Sequence, residues 1–153
     1  MEENKAGAGA EGEPKKSKID RETAIAELER FCENNEIEYD ESAMNDEEKE
    51  TFKEVKQRFI KCCMAGRVEV SGTSIKYIVS DFSPEGIKGE ELILKRPGGK
   101  AFSATDDFKK DQDTHKLLAY MSVMTGKDVK YFNKLDVLDW KFISGIANLF
   151  LSL

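Results

Sequence analysis

Leu117–Phe150 reads LLAYMSVMTGKDVKYFNKLDVLDWKFISGIANLF, and this stretch decides the fold. It holds the only Trp, three of the nine Phe and two of the five Met in the chain. Its apolar residues recur at helical spacing. Leu117, Leu118, Met121 and Met124 make one stripe, Gly126 stops it, and Val137, Trp140, Ile143, Ala147 and Phe150 make the next. The spacing predicts two or three short helices that share one apolar surface, which must be buried against something else.

Immediately upstream the period changes from 3.6 to 2. Val68 and Val70 alternate with Arg67 and Glu69, Ser71-Gly72-Thr73 turns the chain, and Ile75, Tyr77 and Val79 alternate with Lys76 and Ile78. Glu91–Lys95 offers a third short strand, bounded by the loop Phe82–Gly89 and by Pro97-Gly98-Gly99. Three antiparallel strands with one apolar face need a cover, and the C-terminal helices are the natural one.

Before Gly66 the pattern is helical again. Asp20 is placed as an N-cap, with Ala24, Ile25, Leu28, Phe31 and Cys32 on one face of a helix from about 20 to 34. Asn45 and Glu48 make a capping-box start for a second helix, striped by Phe52, Val55, Phe59, Ile60 and Cys63 and closed by Gly66. Residues 1–18 carry no large apolar residue after Met1 and are expected to be a disordered arm. The expected class is therefore α+β: an acidic helical hairpin over 19–66, then a body over 67–153 with a small three-stranded antiparallel sheet and C-terminal helices packed on it.

Composition narrows the function. The 153 residues suit one core, and charged residues reach 35% against the ~25% usual in globular domains. No run of 18 apolar residues spans a bilayer, and MEENKAGAGAEGEPKK lacks the apolar middle of a signal peptide, so a cytoplasmic, membrane-free protein is expected. Residues 19–50 hold thirteen acids against three bases, while 51–153 hold thirteen acids against seventeen bases. That asymmetry fits a solvated helix face, an acidic arm folded on a basic body, or a surface for a basic partner. The bases are scattered rather than striped, so no nucleic-acid binding is expected.

Catalytic and metal motifs do not assemble. Cys32, Cys62 and Cys63 read as reduced small hydrophobes, with His115 the single imidazole. Arg96-Pro97-Gly98-Gly99-Lys100 lacks the spacing of a phosphate loop, and Asp106, Asp107, Asp111 and Asp113 lack the Gly and final Glu of a calcium loop, so helix capping accounts for them. Carboxylates elsewhere fall at capping and solvent-face positions. The reading is of a non-enzyme with no cofactor and no metal.

The order of short motifs is more telling. A hairpin is followed by a strand entering a basic-Pro turn (Leu92-Ile93-Leu94-Lys95-Arg96-Pro97) and a polar acidic stretch. Then Leu117-Leu118-Ala119-Tyr120-Met121 leads to Met124-Thr125-Gly126, Leu135-Asp136, Asp139 and a closing Ile146–Phe150 helix. From about Val68 to Leu151 this succession resembles the tail assembly chaperone family of long-tailed bacteriophages and related prophages, with the acidic helices at 19–65 outside it. The resemblance implies a non-catalytic chaperone in the bacterial host cytoplasm, whose client is the long, apolar-helical tape measure protein and whose further partner is the tail tube protein. A structural or adaptor subunit of a tail or similar assembly, and an unrelated regulatory interaction module, are the other readings.

Such a chaperone needs an exposed apolar groove with adaptable side chains. Tyr120, Met121, Met124, Phe132, Trp140 and Phe150 are the candidates, about a third of them expected on a contact surface and the rest in the core. Leu149, Phe150, Leu151 and Leu153 need either the body or a partner to cover them, and a homo-oligomer is expected from this surplus.

Overall fold

In the computed structural model, which describes residues 18–105 and 113–153, the period change at Gly66 separates two helices from a sheet. Residues 1–17 of the expected disordered arm, and Asp106, Asp107 and Asp111, lie outside the described residues, as does the Asp113 side chain.

Helix α1 (Arg21–Asn35) starts where its cap predicts, with the Thr23 N–H donating to the Asp20 carboxylate at 2.8 Å. Helix α2 (Asp46–Met64) opens on the full capping box: the Glu48 N–H donates to Asn45 Oδ1 at 2.8 Å and the Asn45 N–H to Glu48 Oε1 at 2.9 Å. A 3-10 turn, Glu41–Ala43, interrupts the linker. The predicted stripes are buried except at Ile25, which is only partly covered, and Asn35 and Cys62 join them.

Strands β1 (Val68–Ser71), β2 (Ser74–Ile78) and β3 (Glu91–Leu94) pair antiparallel in that order. The register sets Val68 opposite Tyr77 and Val70 opposite Ile75, then Tyr77 opposite Leu92 and Ile75 opposite Leu94. All six of these residues are buried on one face, while Glu69 and Lys76 pair on the other at 3.4 Å.

The helical half has four elements: α3 (Gly99–Thr105), α4 (Asp113–Thr125), α5 (Val129–Asn133) and α6 (Val137–Leu151). Helix α3 starts on Gly99, where the sequence predicts only a break, and it packs along α4 with Ala101 fully buried. Asp128 and Asp136 cap α5 and α6 by accepting from the Lys130 and Leu138 N–H groups.

The cover of the sheet comes from both ends of the chain. Phe142 of α6 stacks on Tyr77 with centroids 4.3 Å apart and lies 6.2 Å from Phe59 of α2. Phe31 of α1 meets Phe150 of α6 edge-on at 5.7 Å. The core is thus continuous across the boundary expected at residue 66, and the acidic helices turn their apolar faces into it. Helices α2 and α6 meet closely at Gly145, where a Cβ would stand 3.3 Å from Val55 Cγ2; this explains a residue that costs about 1 kcal/mol in a helix interior. Polar ties close the same seam. Arg30 Nη2 donates to the Val70 carbonyl at 3.1 Å, Asn34 Nδ2 to the Gly72 carbonyl at 2.8 Å, and Arg96 Nη1 to the Asn35 carbonyl at 2.6 Å. Arg96, from the apparent phosphate-loop motif, therefore serves the C-terminal end of α1, where the helix dipole favours a cation.

Helix α6 corrects the predicted phase. Val137 is 63% exposed, while Asp139 is fully buried. The buried face runs through Asp139, Phe142, Ile143, Ile146, Ala147 and Phe150 rather than being centred on Val137 and Trp140. All three cysteines are free and buried, as read from the sequence.

Candidate functional site

A groove of about 590 Å³ opens where the end of α1 and the first half of α2 meet the last turn of α6. Its apolar floor is Met44, Phe52, Val55, Leu149 and Leu153. Phe52 and Val55 reach it because the α2 stripe continues to the helix N-terminal end, and Leu149 because the last turn of α6 lies across that end. Leu153 is 57% exposed at the open end of the floor, and Leu151, 44% exposed and outside the lining, is a further exposed leucine of the last turn.

The rim is acidic. Glu36 and Glu38 follow α1, and Glu47 and Glu48 sit in the first turn of α2. Glu47 and Glu48 have a local reason to be there, since acids favour a helix N-terminus and Glu48 completes the capping box. Glu36 has none. It occupies the C-cap of α1 with φ 58°, the one non-glycine residue with positive φ among the described residues, at the end of the helix where the dipole disfavours an acid. Glu38 Oε2 accepts from the Asp40 N–H at 2.8 Å. None of the four forms an ion pair with a described residue.

A second constellation is polar and closed to solvent. Asp139 Oδ1 accepts from the Tyr77 hydroxyl at 2.6 Å and the Ser80 N–H at 2.9 Å; Oδ2 accepts from the Ser80 and Ser83 hydroxyls at 2.8 and 2.6 Å. The Asp136 N–H donates in turn to Ser83 Oγ at 2.8 Å, so the cap of α6 and the loop after β2 are held as one unit. Burial, then Cys62 and Asp139, push the Tyr77 hydroxyl well above the ordinary tyrosine range. Burial also raises the Cys62 thiol, against the pull of Arg67, whose Nη2 lies 3.5 Å from Cys62 Sγ. With four donors on one carboxylate, and the tyrosine and thiol held neutral, the arrangement acts as a tie between sheet and helix. The expectation that carboxylates occupy only caps and solvent faces fails at Asp139, because the loop after β2 brings three of those donors to it and Tyr77 the fourth.

The six predicted contact residues separate clearly. Tyr120, Met121, Met124, Phe132 and Phe150 are all 3% exposed or less and belong to the core, and Trp140 alone of the six is partly exposed. Core positions therefore take five of the six where about two thirds are expected, and Phe150 among them packs edge-on against Phe31 of α1. None of the six lines the groove. The sequence carries a signal for the groove only in its acidic segment and in the leucines at 149–153; the floor joins residues about a hundred positions apart.

Among the described residues no helix is long and apolar enough to cross a membrane, and no three His, Cys, Asp or Glu side chains are grouped to hold a metal ion. No protein-family model matches this sequence, and no curated protein or solved structure is significantly similar to it.

Proposed function

We propose that this chain is a non-catalytic binding protein that shields apolar helical segments of a client, in the manner of a phage tail assembly chaperone acting on a tape measure protein in the host cytoplasm. The observation that supports this reading is the groove: an apolar floor of about 590 Å³, lined in part by a polarizable, adaptable Met, between two helix ends. Self-association through the same apolar surface, with Leu151 and Leu153 at its edge, is part of the proposal.

The test is aggregation suppression. An apolar helical peptide that precipitates alone is expected to stay in solution with a stoichiometric amount of the protein and no nucleotide. Thr51→Trp, which fills the groove from an exposed position of α2, is expected to abolish the effect without lowering stability. Suppression that survives Thr51→Trp places the activity elsewhere. The matching genetic expectation is a tail tube gene just upstream and a very long coiled-coil gene just downstream.

A structural or adaptor subunit is the second reading, and one observation favours it. Phe82 and Val137 are 73% and 63% exposed, the segments that carry them are tied by the Ser83–Asp136 hydrogen bond, and neither lines the groove. An adaptor is expected to keep one partner after Thr51→Trp and lose it after Phe82→Asp.

A further inference from the structure

We infer that the groove selects an amphipathic helix whose apolar stripe is flanked by lysines or arginines; this rests on the docking reading above and names its partner by charge. The floor supplies the apolar half of the recognition. The rim supplies four carboxylates from two separate elements, Glu36 and Glu38 after α1 and Glu47 and Glu48 on α2, all exposed and none ion-paired with a described residue.

Fold requirements do not explain all of these acids. Glu47 and Glu48 serve the start of α2, but the C-cap of α1 calls for Gly by its backbone and for a base by the helix dipole, and holds Glu36 instead. The fold does supply a base one residue earlier, where Arg96 Nη1 donates to the Asn35 carbonyl, yet Glu36, which lines the groove, has no ion pair with a described residue. Nearby Lys53 and Lys56 are directed to Glu41, at 4.0 and 3.9 Å, rather than to the rim. A residue that is unfavourable for its own helix, beside an apolar groove, is accounted for by a cationic occupant. The same choice gives the thirteen acids and three bases of residues 19–50 a purpose beyond solvation. Complementary charge of this kind sets specificity and association rate more than raw affinity.

The experiment uses three fluorescein-labelled helical peptides with one apolar stripe and flanking Lys, Gln or Glu, read by anisotropy against the full chain. The Lys peptide is expected to bind about tenfold tighter than the Gln peptide, and the Glu peptide weakest. The Lys advantage should vanish at 1 M salt, where the Debye length is about 3 Å, and in Glu36→Gln/Glu38→Gln/Glu47→Gln. Equal binding of all three peptides, lost in Thr51→Trp, overturns the charge inference and leaves the docking reading standing. No binding by any peptide, or binding unmoved by Thr51→Trp, overturns both. A protein that sediments as a dimer, becomes monomeric in Thr51→Trp and ignores the Lys peptide has a second copy in the groove, and the inference fails.

Discussion

Asp139 and Glu36 are both acids in places that intrinsic preference argues against, and they are treated in opposite ways. Asp139 is fully buried and accepts four hydrogen bonds from Tyr77, Ser80 and Ser83. Glu36 is exposed and sits in a left-handed conformation at a helix end, and its side chain has no hydrogen-bond or ion-pair partner among the described residues. A polar group whose partners are all supplied from within is part of the fold. A charged group held at a conformational cost without an internal partner is better explained by something outside the chain.

The largest expected effect is at Asp139. Asp139→Ala leaves the Tyr77 and serine donors buried without an acceptor, at about 1–3 kcal/mol for each unsatisfied group, so a loss of at least about 3 kcal/mol is expected in urea unfolding. A loss under about 1 kcal/mol would show that the carboxylate is dispensable to the fold. By contrast, neutralising Glu36, Glu38 and Glu47 together is expected to move stability by less than about 0.5 kcal/mol, the usual range for surface substitutions.

The next effect is in the pH dependence. Burial, with nearby glutamates, drives the Cys32 thiol from 9.0 up to about 12 and the Cys63 thiol up to about 11. Because the folded values lie above the unfolded ones, the stability these thiols contribute is complete below pH 9.0 and is lost as pH rises toward 11 and 12. The urea midpoint should therefore hold up to about pH 9 and fall beyond it. Cys32→Ala/Cys63→Ala should flatten that fall while lowering the midpoint at neutral pH. A midpoint level through pH 11 in the unmodified chain would mean that the thiols are less enclosed than their positions indicate.

Legibility in the sequence falls with distance along the chain. Asp20 with Thr23, Asn45 with Glu48, and the alternation through Ile75 and Tyr77 are local signals, and the elements they mark are present. Helix α3 is not legible, because Gly98-Gly99 reads as a break and only packing against α4 makes a helix of Gly99–Thr105. Asp139 reads as a surface acid for the same reason: its donors lie 56 to 62 positions away. The groove is the extreme case, with a floor joining Phe52 to Leu149, while all but Trp140 of the aromatic and Met residues that the sequence offers for binding are buried in the core.

The smallest effect separates the two treatments most sharply, because its sign is opposite to that of an ordinary substitution. Glu36→Gly keeps the backbone N–H that caps α1 at the Cys32 and Glu33 carbonyls, and removes both the left-handed strain of a residue with a Cβ and the misplaced charge. The strain is worth about 1–2 kcal/mol, and the greater freedom of glycine in the unfolded chain offsets part of it, so a net gain near 1 kcal/mol is expected. The same variant should lose affinity for the Lys-flanked peptide. Glu36→Gln divides the two contributions, since it retains the Cβ and removes only the charge: it should lose the affinity while gaining much less of the stability. Thermal unfolding and anisotropy on the two variants give four numbers, and the expected pattern is stability gained mainly by Gly with affinity lost by both. If Glu36→Gly destabilised the fold, the carboxylate would be holding the end of α1 in place, and Glu36 would belong with Asp139 as a structural acid.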